Sequence, residues 1–180
     1  MEADFVLDGV EVYLASVEAG AGSRQERERA AVGAMVRGLF GDGAAIAHDA
    51  SGAPRLEGRP ESISVSHSRR TAAIAVDRLG RAIGIDIEEA RAQLHRVAAR
   101  VLSAEELAAY GGSDETLAMA WTLKEAAYKC AGEAGLDFRR DISLPSVAQP
   151  GNMVIAGDKA LGILHCGAVG NEFMALVCRL

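Results

Sequence analysis

Twice along the chain an extended segment is followed by helical sequence and then by several short extended segments. This order, more than any one motif, limits what the chain can fold into. VEVYLASV, residues 10–17, alternates as a strand does. Ser23 and Glu26 then form the S-x-x-E start of a helix, whose Val32, Met35, Val36, Leu39 and Phe40 fall at i, i+3, i+4, i+7 and i+8 before Gly41. Short strands are predicted at 44–48, 62–66 and 71–76, divided by SGAP and DRLG breakers. AIGIDIE, residues 82–88, opens the second round as a strand, and helical sequence follows through Val101. Ser103 and Glu106 offer another capping box for a short helix ending near Gly111 and Gly112, and a longer helix runs from Ser113 or Asp114 to Gly132. DISL, NMVIA, LGILH and EFMALVCRL return to strand.

Strands do not alternate strictly with helices, so the pattern predicts an α+β fold rather than a doubly wound parallel sheet. The repeat of about 90 residues is one of pattern and not of letters. It divides the chain into an N-terminal α+β half, 1–80, and a C-terminal α+β half, 81–180, related by a pseudo-twofold. No low-complexity linker separates them, which predicts tight packing of one on the other. A chain of 180 residues is large enough for one compact unit with a real core.

A net charge of −6 argues against broad attraction to nucleic acid or to anionic membranes, so a phosphate site here must be small and local. Cys130, Cys166 and Cys178 are odd in number and have no CxxC spacing, which suggests buried thiols rather than a disulfide framework or a zinc site. The N-terminus is acidic where a signal peptide is basic, and no apolar run approaches the ~18 residues of a membrane span. These features lead to an expectation of a cytoplasmic protein.

In GIDIE, Asp86 and Glu88 are two apart in a strand, so both carboxylates share a face while Ile85 and Ile87 share the other. A half-exposed strand with a solvated outer face would look the same. In AWTLKEAAYKC, residues 120–130, Leu123, Ala126, Ala127 and Cys130 join Met119 on an obvious core face. Lys124, Leu117, Tyr128, Trp121, Glu125 and Lys129 fall on the opposite side within an arc of ~140°. Glu125 and Lys129 have the favourable order for an i, i+4 ion pair, but the two aromatics beside these charges suggest a covered cleft. Asp86, Glu88 and Glu125 together suit a hard cation such as Mg²⁺, with Lys124 and Lys129 left to meet phosphate. In SVSHS, Ser66 and His67 are candidate hydrogen-bond donors to a phosphate, although a lone histidine is commonly a turn or core residue.

Taken in order, SGAPRL, SVSHS, GIDIE and WTLKEAAYK resemble the 4′-phosphopantetheinyl transferase superfamily, whose patterns are G-K-P-x-L, S-H-S, G-(I/V)-D-x-E and W-x-x-K-E-A-x-x-K. The length and the weak repeat are similar to the long type of that family, in which two halves share one chain, the active site lies between them and the molecule is a monomer. The resemblance implies transfer of the 4′-phosphopantetheine arm of coenzyme A to a serine of an apo carrier protein, with release of 3′,5′-ADP. It makes Asp86, Glu88 and Glu125 the ligands of Mg²⁺, with Mn²⁺ as the alternative metal. Ser66 and His67 would contact coenzyme A phosphates, Lys129 would hold the phosphate under attack, and Lys124 would lie beside it. Trp121 would be a buried anchor of its helix. Glu125 is the first candidate for general base and Glu88 the second.

One position departs from the family pattern: Ala53 stands where the lysine of G-K-P-x-L meets a phosphate. Arg55, two residues on in an extended segment, can supply the charge if its side chain faces the pocket, and the resemblance puts Arg29 at roughly the place of a family arginine that helps bind the nucleotide. Arg69, Arg70, Arg91 and Arg96 are candidates for a local basic patch facing an acidic carrier protein, or simply surface charge. Two other readings stay open. A Mg²⁺-dependent phosphohydrolase or nucleotidyl transferase would use the same carboxylates, and a non-catalytic module binding coenzyme A or a carrier protein would tolerate Ala53.

Overall fold

The computed structural model describes residues 1–49 and 52–180, so Ser51, the first residue of SGAPRL, lies outside the described residues. Within them the chain forms two antiparallel sheets and four helices, a mixed α+β architecture. The first sheet contains β1 (Phe5–Leu7), β2 (Val10–Ser16), β3 (Ile46–His48), β4 (Pro54–Leu56), β5 (Ser62–His67) and β6 (Thr71–Asp77). Their order across the sheet is β1-β2-β6-β5-β4-β3. The second contains β7 (Ile83–Glu89), β8 (Ile142–Ser143), β9 (Met153–Ala156), β10 (Lys159–Val169) and β11 (Glu172–Arg179), in the order β7-β11-β10-β9-β8. The helices are α1 (Arg24–Phe40), α2 (Gln93–Val101), α3 (Ala104–Tyr110) and α4 (Asp114–Ala131).

The capping signals work as read. Ser23 and Glu26 bond each other's backbone at the start of α1, Ser103 and Glu106 do so at α3, and α4 ends on Gly132 in the left-handed region at φ 62°. Two strands went unforeseen: β1, which is only three residues long, and β4, which begins at the proline of the SGAP breaker. Proline is tolerated there because it opens the strand, where a missing N–H costs little.

Period-two alternation then distributes the core into layers. In β6, Ala72, Ile74 and Val76 face α1, joining its Val32, Met35, Val36 and Phe40, whereas Ala73 and Ala75 face the other sheet. In β7, Ile83, Ile85 and Ile87 point inward to the same intersheet layer, against Val10, Val12, Met174 and Leu176. The opposite face of β7, with Gly84, Asp86 and Glu88, is left for α4. That helix is covered on its far side by Leu94 and Ala98 of α2, Tyr110 of α3 and Leu102 between them.

β5 and β7 run side by side where the two sheets meet, and side chains make the join. The Ser64 hydroxyl accepts from the Ile85 N–H at 3.0 Å, and the Ser66 hydroxyl accepts from the Ile87 N–H at 3.2 Å. Both N–H groups lie on the strand edge that β11 does not cover. Buried and unpaired, each would carry a desolvation cost of about 1–3 kcal/mol. Two serines of SVSHS therefore close the free edge of one sheet onto the other.

Candidate active site

Gly84 sets the site. A Cβ built on it would lie 1.9 Å from the Ala126 carbonyl oxygen and 2.8 Å from the Cys130 nitrogen, so only glycine lets α4 lie this close on β7. Ala126, Ala127 and Cys130 then pack on the strand, and Glu125 and Lys129 are carried over its edge. Lys129 Nζ donates to Asp86 Oδ1 at 2.7 Å and to the Ile85 carbonyl at 3.0 Å. The Ser66 hydroxyl donates to the same Asp86 oxygen at 2.7 Å.

Asp86, Glu88, Glu125 and Lys129 are thus brought to one crossing. The ion pair is not the one that helical spacing suggested. Lys129 pairs across to β7 rather than back to Glu125, and Glu125 holds no ion pair among the described residues. Burial pushes the Glu125 carboxyl above the ordinary glutamate value, and the charges of Asp86 and Glu88 add to the rise while Lys129 opposes it. Glu88 is also raised, chiefly by burial, although its carboxylate accepts from the Glu89 N–H at 3.0 Å and pairs with Arg91 Nη2 at 2.7 Å.

The three carboxylates are chemically a donor set for a hard cation, and two tethered cations leave them with uncompensated negative charge. They are not gathered as a ligand cage: among the described residues no group of three or more His, Cys, Asp or Glu is placed to hold a metal ion. Lys129 stands on Asp86 and Arg91 on Glu88 instead.

Beside the crossing a cavity of about 740 Å³ opens between α1 and the outer face of the first sheet. Val32, Val36, Ile46 and Val65 give it apolar walls, Arg29, Arg37 and His67 give it basic groups, and Lys129 closes one end. Arg29 and His67 thus line the same cavity as Lys129. His67 Nδ1 lies 3.3 Å from Glu28 Oε2, and the buried Glu28 also takes an ion pair from Arg24. Sequence reading passed over Glu28, although a carboxylate four residues before Val32, on the apolar stripe of α1, was a visible signal. Arg37 and Gly84 were missed too, and Arg91, read as part of a basic patch facing a carrier protein, pairs with Glu88 instead. Of Arg37 and Gly84 only the glycine, inside a β-branched strand, carried a pointer.

Three expected site residues are held by other partners. Lys124 is fully buried, and its Nζ is held by Glu106 Oε2 at 2.7 Å, the Phe138 carbonyl at 2.6 Å and the Ile142 carbonyl at 2.7 Å. It ties α4 to α3 and to the segment after Gly132, and it does not lie beside Lys129. Burial pulls its pKa below the ordinary lysine value, with Glu106 opposing. Ser66, expected at a phosphate, is 5% exposed and spends its hydroxyl on Asp86 and Ile87. Arg55 is exposed on β4 and pairs with Asp49 at 2.7 Å, on the rim of a second cavity of about 290 Å³ that Lys129 also lines. Ala53 borders a third, smaller cavity with Tyr128 and Lys129.

The aromatic face of α4 is explained by packing. Phe138 stacks on Tyr128 at 5.3 Å and on the half-buried Trp121 at 6.4 Å between ring centres, so the segment after the helix covers them. Cys130 and Cys178 are buried and Cys166 half-buried, and all three are free thiols. Burial pushes the Cys130 and Cys166 thiols up to about 12. Among the described residues no helix is long and apolar enough to cross a membrane.

Residues 82–163 match the family model described as the 4′-phosphopantetheinyl transferase superfamily. That stretch of the chain is similar to the superfamily's domain, and Asp86, Glu88, Glu125 and Lys129 all fall inside it. Arg29, Arg55, Ser66 and His67 precede the matched stretch. No curated protein matches the chain.

Proposed function

We propose that the protein transfers the 4′-phosphopantetheine arm of coenzyme A to a serine hydroxyl of an apo acyl or peptidyl carrier protein, releasing 3′,5′-ADP. The observation that carries this reading is the crossing of α4 on β7, where Glu125 and Lys129 meet Asp86 and Glu88 at the end of a basic cavity large enough for a nucleotide. The family match over residues 82–163 supports the reaction class. The reading extends to a long-type enzyme, with two pseudo-twofold halves of residues 1–80 and 81–180 acting as a monomer in the cytoplasm and its site where they meet.

Arg29, Arg37 and His67 would bind the nucleotide phosphates along α1, and the apolar walls would take the base. Lys129 would leave Asp86 to hold the β-phosphate. Asp86, Glu88 and Glu125 would hold Mg²⁺ or Mn²⁺, which when bound neutralises pyrophosphate charge. Glu125, which holds no ion pair among the described residues, would take the proton of the carrier serine as that oxygen attacks the β-phosphorus. The bond from phosphorus to the 5′-phosphate oxygen breaks, and the electron pair leaves with 3′,5′-ADP. Lys129 would stabilise charge on the equatorial oxygens.

The test is incubation with coenzyme A, Mg²⁺ and apo carrier proteins of fatty-acid, polyketide and peptide-synthetase origin, read by mass. A phosphopantetheine increment on at least one carrier supports the reading, and none on any of them contradicts it.

A further inference from the structure

We infer that Lys129 is a tethered counter-cation that competes with a divalent cation for Asp86, so that a cation taking this carboxylate turns the ammonium out toward the phosphate-sized space beside it. The inference rests on the functional reading above, because it supposes that the carboxylates take a metal. It goes further in assigning an order and a coupling to the two ligands.

The geometry is specific. Lys129 Nζ sits on Asp86 Oδ1 at 2.7 Å, and the Ser66 hydroxyl bonds the same oxygen at 2.7 Å. That oxygen therefore already receives two donors. A divalent cation within ligand distance of Asp86 would stand only a few ångströms from the ammonium, where like charges repel strongly at a partly buried site. Lys129 has somewhere to go. Its side chain is 29% exposed, its stem has four rotatable carbons, and it lines the cavities of about 740, 290 and 100 Å³. Its other bond, to the Ile85 carbonyl, is to an uncharged acceptor and weaker to give up.

The displaced ammonium faces the basic cavity that Arg29 and His67 also line, which raises the affinity there for an anion. By linkage the anion must raise the affinity of the cation by the same factor. A single lysine thus serves as ballast for Asp86 in one arrangement and as anion ligand in the other. Arg91 on Glu88 Oε2 repeats the device at a second carboxylate.

The test uses Mn²⁺ alone, titrated into the full chain without coenzyme A and followed by electron paramagnetic resonance. Lys129→Gln removes the charge while keeping a polar side chain, and it should bind Mn²⁺ about tenfold more tightly than the wild type. Equal or weaker binding by a folded Lys129→Gln overturns the inference. Should that variant fail to fold, nitrogen-detected NMR of the wild-type lysine ammonium groups during a Mg²⁺ titration decides. The Asp86-bonded Lys129 signal should be lost as the site saturates, and an unchanged signal at saturation counts against displacement. Asp86→Asn separates the two claims. Binding that depends on Asp86 but not on Lys129 sinks only the inference, whereas binding indifferent to Asp86, or none at all, sinks the metal reading with it.

Discussion

Gly84 and Ala126 touch where α4 crosses β7, and a side chain as small as a methyl on Gly84 would lie 1.9 Å from the Ala126 carbonyl oxygen. The closeness of that crossing is what lets Lys129 reach Asp86 and the Ile85 carbonyl. Gly84→Ala is expected to push the helix off the strand at a cost of about 3 kcal/mol, near the upper end of ordinary overpacking. Denaturant unfolding should show the loss, and transfer activity should fall further than stability because Lys129 and Glu125 move with the helix. A variant as stable and active as the wild type would remove Gly84 from this role.

Lys124 and Glu106 form a buried pair whose members also hold the chain around them. Glu106 accepts from Ser103 N at 2.8 Å and Leu144 N at 2.8 Å, and Lys124 donates to two carbonyls. Lys124→Met leaves the Glu106 charge unpaired and should cost about 3–5 kcal/mol. Molecules that remain folded should keep the wild-type KM for coenzyme A. A raised KM with unchanged melting would return Lys124 to the substrate.

The contrast between these lysines shows what could be read from the letters. Capping residues marked three of the four helices, α2 was legible as helical sequence running to Val101, and apolar periods and breakers marked most strands, because those signals are local. Asp86 and Glu88 were placed correctly on one face of β7, since strand alternation admits no other arrangement. Lys124 and Lys129 both lay on one arc of α4, but which of them met the site depended on Glu106 and Phe138, distant in sequence and packed there by the fold. Ser66 was likewise a good donor whose partner, Ile87 N–H, exists only because β7 is an edge strand.

Glu125→Gln should stabilise the fold at pH 7 in the presence of a chelator. Its folded-state pKa is raised above the unfolded value of about 4.3, so the ionised carboxyl costs stability above the folded pKa and costs nothing once it is protonated in both states. The melting temperature of the variant should therefore exceed that of the wild type at neutral pH, and the gap should close as pH falls below about 4. A gap that widens in acid would mean the sign of the shift is wrong.

Ser64→Ala and Ser66→Ala each orphan an N–H on the edge of β7, at an expected cost of about 1–3 kcal/mol in chemical denaturation. Ser66→Ala should be the more damaging, because Asp86 loses a donor as well. Equal and negligible losses would mean that water replaces the serine bonds and that the two sheets do not depend on them.

The central claim is that the carboxylates and Lys129 at the α4–β7 crossing perform phosphopantetheinyl transfer. Its most direct measurement is the mass of an apo carrier protein after incubation with coenzyme A and Mg²⁺, using wild type, Glu125→Gln and Lys129→Met side by side. The account predicts the phosphopantetheine increment with the wild type and a rate lower by about 10²–10³ with either variant, the loss typical when a group stabilising the transition state is removed. Transfer at the wild-type rate by a folded Glu125→Gln or Lys129→Met, or no transfer by the wild type to any carrier class, would contradict it.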